Sequence, residues 1–150
     1  MTESLKAGTY GFHDLRVGDV IKTGSAEISA NLISDFAALT GDRYELHLDD
    51  SAAKVRGFKA RVAHGLLVLS VVDGLKFEAE AKPEGLASLG WDWRFEKPVF
   101  AGDTIRAELT VVSKRTTTSS ERGIISFRFD VFNQDEMRVQ QGTNELIFDL

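Results

Sequence analysis

The run from Leu66 to Val72, LLVLSVV, carries a single polar residue, Ser70. Wound as a helix, it is apolar around nearly its whole circumference and must be covered on most sides, which a flat surface cannot do. Periodicity alone does not separate a buried helix from a buried strand over so few residues. The leucine content of HGLLVLSVVDGLKF, and its contrast with the segments that follow, favour the helix.

Those segments read as strands: LASLGWDWRF, DTIRAELTVVSKRT, RGIISFRFDVFNQ and MRVQQGTNELIFDL. In the third, Ile125, Phe127, Phe129 and Val131 alternate with Ser126, Arg128 and Asp130, the period of two expected of a sheet with one buried face. Turns between them are signalled by Pro98 and Gly102 in KPVFAGD and by the polar stretches TSSERG and NQDE. Trp91 and Trp93 are assigned to the core rather than to a ligand.

An earlier strand is expected within RVGDVIKTGSAEIS, leading into a helix over SANLISDFAALTG. Ser29 is placed to cap that helix, Leu32, Ile33, Phe36 and Leu39 recur at helical spacing, and Gly41 suits the left-handed position at its end. LDDSAAKV predicts a short second helix capped by Asp49 or Asp50.

Helices first, then one nearly all-apolar helix, then about four long antiparallel strands make an α+β pattern. A strongly curved antiparallel sheet wrapped around the central apolar helix satisfies both demands. Its open edges invite a symmetric copy, so a homodimer or higher homo-oligomer is expected. No repeat or linker divides the 150 residues, which predicts one domain over residues 1–150, burying roughly 68–70% of the surface its unfolded chain exposes.

The net charge of -5 opposes the long-range attraction on which non-specific nucleic-acid and anionic-membrane binders rely. With no cysteine, disulfides, thiolate chemistry and the common structural zinc sites are excluded. MTESLKAGTYGFHDL lacks a charged stretch followed by an apolar one, and no run approaches a membrane span. The expectation is a cytoplasmic protein with neither nucleic-acid nor membrane partners.

The three histidines are His13, His47 and His64. Asp42 and His47 stand five residues apart, just after Gly41. On a helix that offset turns through about 500°, and on a strand it reaches the opposite face, so regular structure would not join them. If they work together, the loop must fold back. They then form a water-activating acid/base pair; otherwise they are a turn carboxylate and a surface imidazole. No spacing suggests three ligands for a catalytic metal. Gly65 follows His64 at the start of the apolar helix. Its amide would suit a developing enolate oxygen, or the glycine serves only close packing. Lys54, Arg56, Lys59 and Arg61 form a stretch without acidic residues that could hold a phosphorylated carrier such as coenzyme A or simply be solvated.

GDRYELH (Gly41–His47), ARVAHGLL (Ala60–Leu67) and FEKPVFAGDTI together resemble the signatures of the MaoC-like or (R)-specific enoyl-CoA hydratases of the hotdog fold, G-D-x-N-P-x-H followed by A-R-x-A-H-G-M-L. The resemblance runs from about Val17 to the C-terminus. It implies that Asp42 and His47 are the catalytic dyad, that Gly65 supplies the oxyanion-binding N–H, and that Ser70 matches a serine on the central helix that supports the site. The implied reaction is reversible addition of water to a trans-2-enoyl thioester, giving an (R)-3-hydroxyacyl thioester. Its partner is an acyl-CoA substrate; coenzyme A enters only as part of that substrate, and neither metal nor redox cofactor is required. Tyr44 stands where the family has asparagine and Glu45 where it has proline. The departure points to an unusual substrate, short or polar, or to a domain that only binds thioesters. A thioesterase is the further alternative.

Overall fold

The computed structural model describes residues 3–150. In chain order the elements are β1 (Gly8–Tyr10), β2 (Val20–Glu27), α1 (Ala30–Thr40), α2 (Glu45–Leu48), α3 (Asp50–Val55), α4 (Gly65–Glu78), β3 (Ala81–Pro83), β4 (Ala87–Phe95), β5 (Thr104–Thr116), β6 (Arg122–Phe132) and β7 (Arg138–Asp149). Five strands form one antiparallel sheet in the order β2-β5-β6-β7-β4. Register shifts interrupt β2, β4 and β5; such irregularities bend strands and increase their twist. A short parallel pair, β1 with β3, was not foreseen from the sequence.

The alternation in β6 sets the core. Ile125, Phe127, Phe129 and Val131 are fully buried, joined by Ile105, Ala107 and Leu109 of β5 and Phe148 of β7. Each fully buried large side chain contributes about 1.5–3 kcal/mol. α4 packs on β2, β3 and β5, with Leu67, Val68, Val72, Leu75 and Lys76 as its buried stripe. The described residues cover only that side. Leu66 and Phe77 remain 61% and 57% exposed, although the apolar circumference of the helix calls for cover nearly all round.

α1 forms as expected. Ser29 Oγ accepts the Leu32 N–H at 3.0 Å, satisfying one of the helix's unpaired first-turn donors. Its buried stripe is narrower than the spacing suggests: Ile33 and Ala37 are buried, Leu32 and Phe36 pack beside the core, and Leu39 is exposed to solvent. α3 is capped by Asp49, whose carboxylate accepts from the Ser51 N–H at 2.9 Å. No helix among the described residues is long and apolar enough to cross a membrane.

Candidate active site

α1 stops at Gly41, which adopts φ 82° and donates its N–H to the Ala37 carbonyl at 2.9 Å. Without a Cβ, glycine enters this left-handed turn at little cost. The chain reverses through Asp42 and Arg43 into the single helical turn α2, which carries His47. Sequence reasoning foresaw the reversal but not the helical turn.

His47 is tied to the segment leading into α4. Its Nδ1–H donates to the Val62 carbonyl at 2.6 Å, and the Val62 N–H donates to the Leu46 carbonyl at 3.1 Å. Because a carbonyl only accepts, Nδ1 carries a proton, and Nε2 is the ring nitrogen not used in this bond. His64, 3% exposed, donates its Nε2–H to the backbone carbonyl of Asp42 at 2.9 Å and packs against Phe36 with ring centroids 4.9 Å apart. The two imidazoles stack, with centroids 3.9 Å apart and planes at 24°. One ligand-type atom from each of Asp42, His47 and His64 lies within 4.8 Å of the others. The structure thus brings Asp42 and His47 together and adds His64, to which sequence analysis gave no role.

Asp42, His47 and His64 lie close enough together to be candidate metal ligands, but stacking is an unfavourable arrangement for one ion shared by both imidazoles. An ion is held in the plane of each imidazole at about 2.0–2.1 Å, whereas stacked rings direct their lone pairs along nearly parallel planes. His47 Nδ1 and His64 Nε2 are bonded to backbone carbonyls, which leaves His64 Nδ1 buried without a hydrogen-bond partner among the described residues. A carboxylate beside an imidazole is also an arrangement suited to proton transfer.

Gly65 opens α4 directly after His64, whose side chain makes no capping hydrogen bond. The first turn therefore presents unpaired N–H groups at the positive end of the helix. Two adjoining cavities, of about 350 and 270 Å³, share His47, Gly65 and Phe95. Phe95 lies so close over Gly65 that a Cβ added there would sit 2.4 Å from its ring. The smaller cavity includes Asp42 and His64, and the larger one Val68, Lys97 and Gln140. Ser70 lines neither. Its hydroxyl is exposed and donates to the Leu66 carbonyl at 2.7 Å, one turn along from Gly65.

The two departures at Tyr44 and Glu45 are accommodated together. Glu45 is ion-paired with Arg56, and that hydrogen bond is the main reason the guanidinium is held above its ordinary pKa. Arg56 lies 5.4 Å from the centroid of the Tyr44 ring, which meets His47 edge-on at 6.1 Å. Arg61 sits 3.7 Å from Asp50, so two of the four cations of the basic stretch have carboxylate neighbours.

Gln140 and Phe95 were missed. A usable signal existed for Gln140: the inward positions of β7 are Gln140, Gly142, Asn144, Leu146 and Phe148, all buried, and a polar side chain in that phase demands a partner. Trp91 and Trp93 are partly buried and pack against the core on Phe129, and Trp93 also donates its indole N–H to Gln140.

A five-stranded antiparallel sheet packed against one face of α4 is the hotdog fold. Residues 14–129 match the MaoC like domain, and the chain belongs to the MaoC-like dehydratase family. It is 36% identical over 112 residues to Protein MaoC of Klebsiella aerogenes, covering 74% of this chain and 32% of that protein. With an (R)-specific enoyl-CoA hydratase of Aeromonas caviae it shares 37% identity over 92 residues, covering 61% of this chain and 64% of that protein. The matches thus span from about a third to just under two thirds of these relatives. The structure of a MaoC-like dehydratase from Rhodospirillum rubrum is similar, with a TM-score of 0.85 at 26% identity, covering 93% of this chain and 97% of that one.

Proposed function

We propose that the protein is a hydro-lyase that reversibly adds water to a trans-2-enoyl-CoA thioester, with the (R) stereochemistry named for its Aeromonas relative. The observation that carries this reading is the approach of Asp42, His47 and His64 within 4.8 Å at a cleft shared with Gly65. In this reading the Asp42 carboxylate and His47 Nε2 hold one water. Its oxygen bonds to the β-carbon, the dyad takes the proton it sheds, and a proton from the dyad goes to the α-carbon, so that H and OH add up to one water. Charge building on the thioester oxygen is met by the Gly65 N–H. His64 positions Asp42 through its backbone carbonyl. The chemistry needs no metal or redox cofactor.

Lys97, which lines the larger cavity, and the exposed Lys54 and Lys59 of the basic stretch are the groups we assign to the phosphates of coenzyme A. We further infer that β4, the sheet's open edge on the side away from β7, pairs with a second copy. Exposed Leu66, Phe77 and Leu89 favour such a cover. A monomeric mass by light scattering would end this part of the reading.

The test of the reaction follows the conjugated thioester absorbance of crotonyl-CoA and of longer and carboxylated enoyl-CoAs. Its loss with the thioester bond intact supports hydration; release of free thiol supports a thioesterase; tight binding without product supports a binding module. Undiminished turnover in both Asp42→Ala and His47→Ala rejects the mechanism.

A further inference from the structure

Gln140 pairs with Phe95 in the β4–β7 register, and only 2% of it is exposed. Its amide is oriented from both sides. Trp93 Nε1–H donates to Oε1 at 2.8 Å, and Nε2–H donates to the Gly65 carbonyl at 3.2 Å. Exchanging the amide's oxygen and nitrogen would set donor against donor and acceptor against acceptor, so this orientation is the one the network permits. Nε2 has a second proton, and among the described residues the Gly65 carbonyl is its sole acceptor. Gln140 forms part of the wall of the larger cavity, in company with His47 and Gly65.

Much of that wall is hydrocarbon, from Phe58, Val62, Val68, Phe95 and Val99. A plain alkyl chain packed there would leave the remaining amide proton without an acceptor. Leucine or methionine would line such a cavity without that penalty. A polar group buried this deeply, and held rigid by an indole, is suited to a ligand that brings an acceptor with it.

We propose that Gln140, held by Trp93, makes the cleft selective for acyl groups carrying a hydrogen-bond acceptor on the chain, a carbonyl, hydroxyl or carboxylate oxygen, over alkyl chains of equal length. The inference rests on the cleft being the acyl site of the proposed function and is independent of whether turnover occurs there.

Calorimetry with two saturated thioesters of equal length, 4-oxopentanoyl-CoA and pentanoyl-CoA, tests this without requiring a reaction. The unmodified protein is expected to bind the 4-oxo thioester at least about tenfold more tightly. In the double variant Trp93→Phe/Gln140→Leu donor and acceptor leave together, so neither is orphaned, and the preference is expected to vanish or invert. Trp93→Phe/Gln140→Met retains the side-chain length and decides the matter if the leucine version does not fold. Equal affinities in the unmodified protein, a preference for pentanoyl-CoA, a preference that survives in either folded variant, or binding of neither thioester overturns the proposal. Tighter binding of the 4-oxo thioester by a protein that hydrates no enoyl-CoA leaves this selectivity standing and removes the hydratase reading instead.

Discussion

At its first turn α4 opens on two cavities with no side chain capping its amides. Toward its last turn, Lys76 is 1% exposed, and its ammonium meets Asp73 at 2.8 Å. The contact is ionic rather than a well-aligned hydrogen bond. Phe77 and Trp91 add aromatic rings 4.9 and 5.7 Å from Nζ, and a cation in this position also complements the helix dipole. One end therefore keeps its polar groups unpaired and accessible to a ligand, while the other neutralises them within the chain. β4 serves both ends from one face: Trp91 meets Lys76, and two residues later Trp93 reaches Gln140 and through it Gly65. A single rigid helix can thus be anchored at one end and chemically available at the other.

Breaking the open end should have the largest effect. Asp42→Ala and His47→Ala are each expected to lower kcat/KM for enoyl-CoA hydration by about 10²–10⁴-fold, with thermal midpoints little changed, because Asp42 is exposed and His47 half-buried. Lys76→Ala should do the reverse: a loss of about 2–3 kcal/mol in denaturant unfolding, from lost stem packing as much as lost charge, with activity per folded molecule unchanged. Lys76→Met should recover most of that loss, since Asp73 is partly exposed and can be solvated. If Lys76→Ala abolished turnover in a folded protein, the division between the two ends would be wrong.

Gly65→Ala sharpens the comparison at the first turn. The new methyl displaces the Phe95 ring into the cleft, and a roughly tenfold fall in kcat/KM, about 1.4 kcal/mol of barrier, is expected from steady-state kinetics. Ser29→Ala, which uncaps α1 ahead of the site, should reduce stability by about 1 kcal/mol in denaturant titration. Ser70→Ala should have the smallest effect, within about ±0.5 kcal/mol and about twofold in rate, because the exposed hydroxyl only bonds back within its own helix.

Much of the framework was legible because local patterns report which side of an element is buried. Ile125 through Val131 alternate in sequence and are buried in alternation, and Ser29 and Gly41 bracket α1 through backbone chemistry that any helix end shares. Leu39 misled, since helical spacing defines a face without saying how wide a stripe the neighbours will cover. The residue types of the site were also visible: Asp42, His47 and Gly65 stand out in a chain with three histidines. Their arrangement was not. His47 is oriented by the carbonyl of Val62, and His64 reaches the carbonyl of Asp42 across 22 positions.

The chain's own composition and periodicity determined an α+β architecture, the places where its strands turn, and a net negative charge. Only the tertiary structure decided that two imidazoles stack, that Gln140 lines a cleft whose wall is largely hydrocarbon, and that Ser70 lies outside it. The reason is physical. Faces and caps arise within a few residues, whereas the site is assembled by backbone carbonyls and packing surfaces far apart in the chain, and a carbonyl is the same group whichever residue bears it.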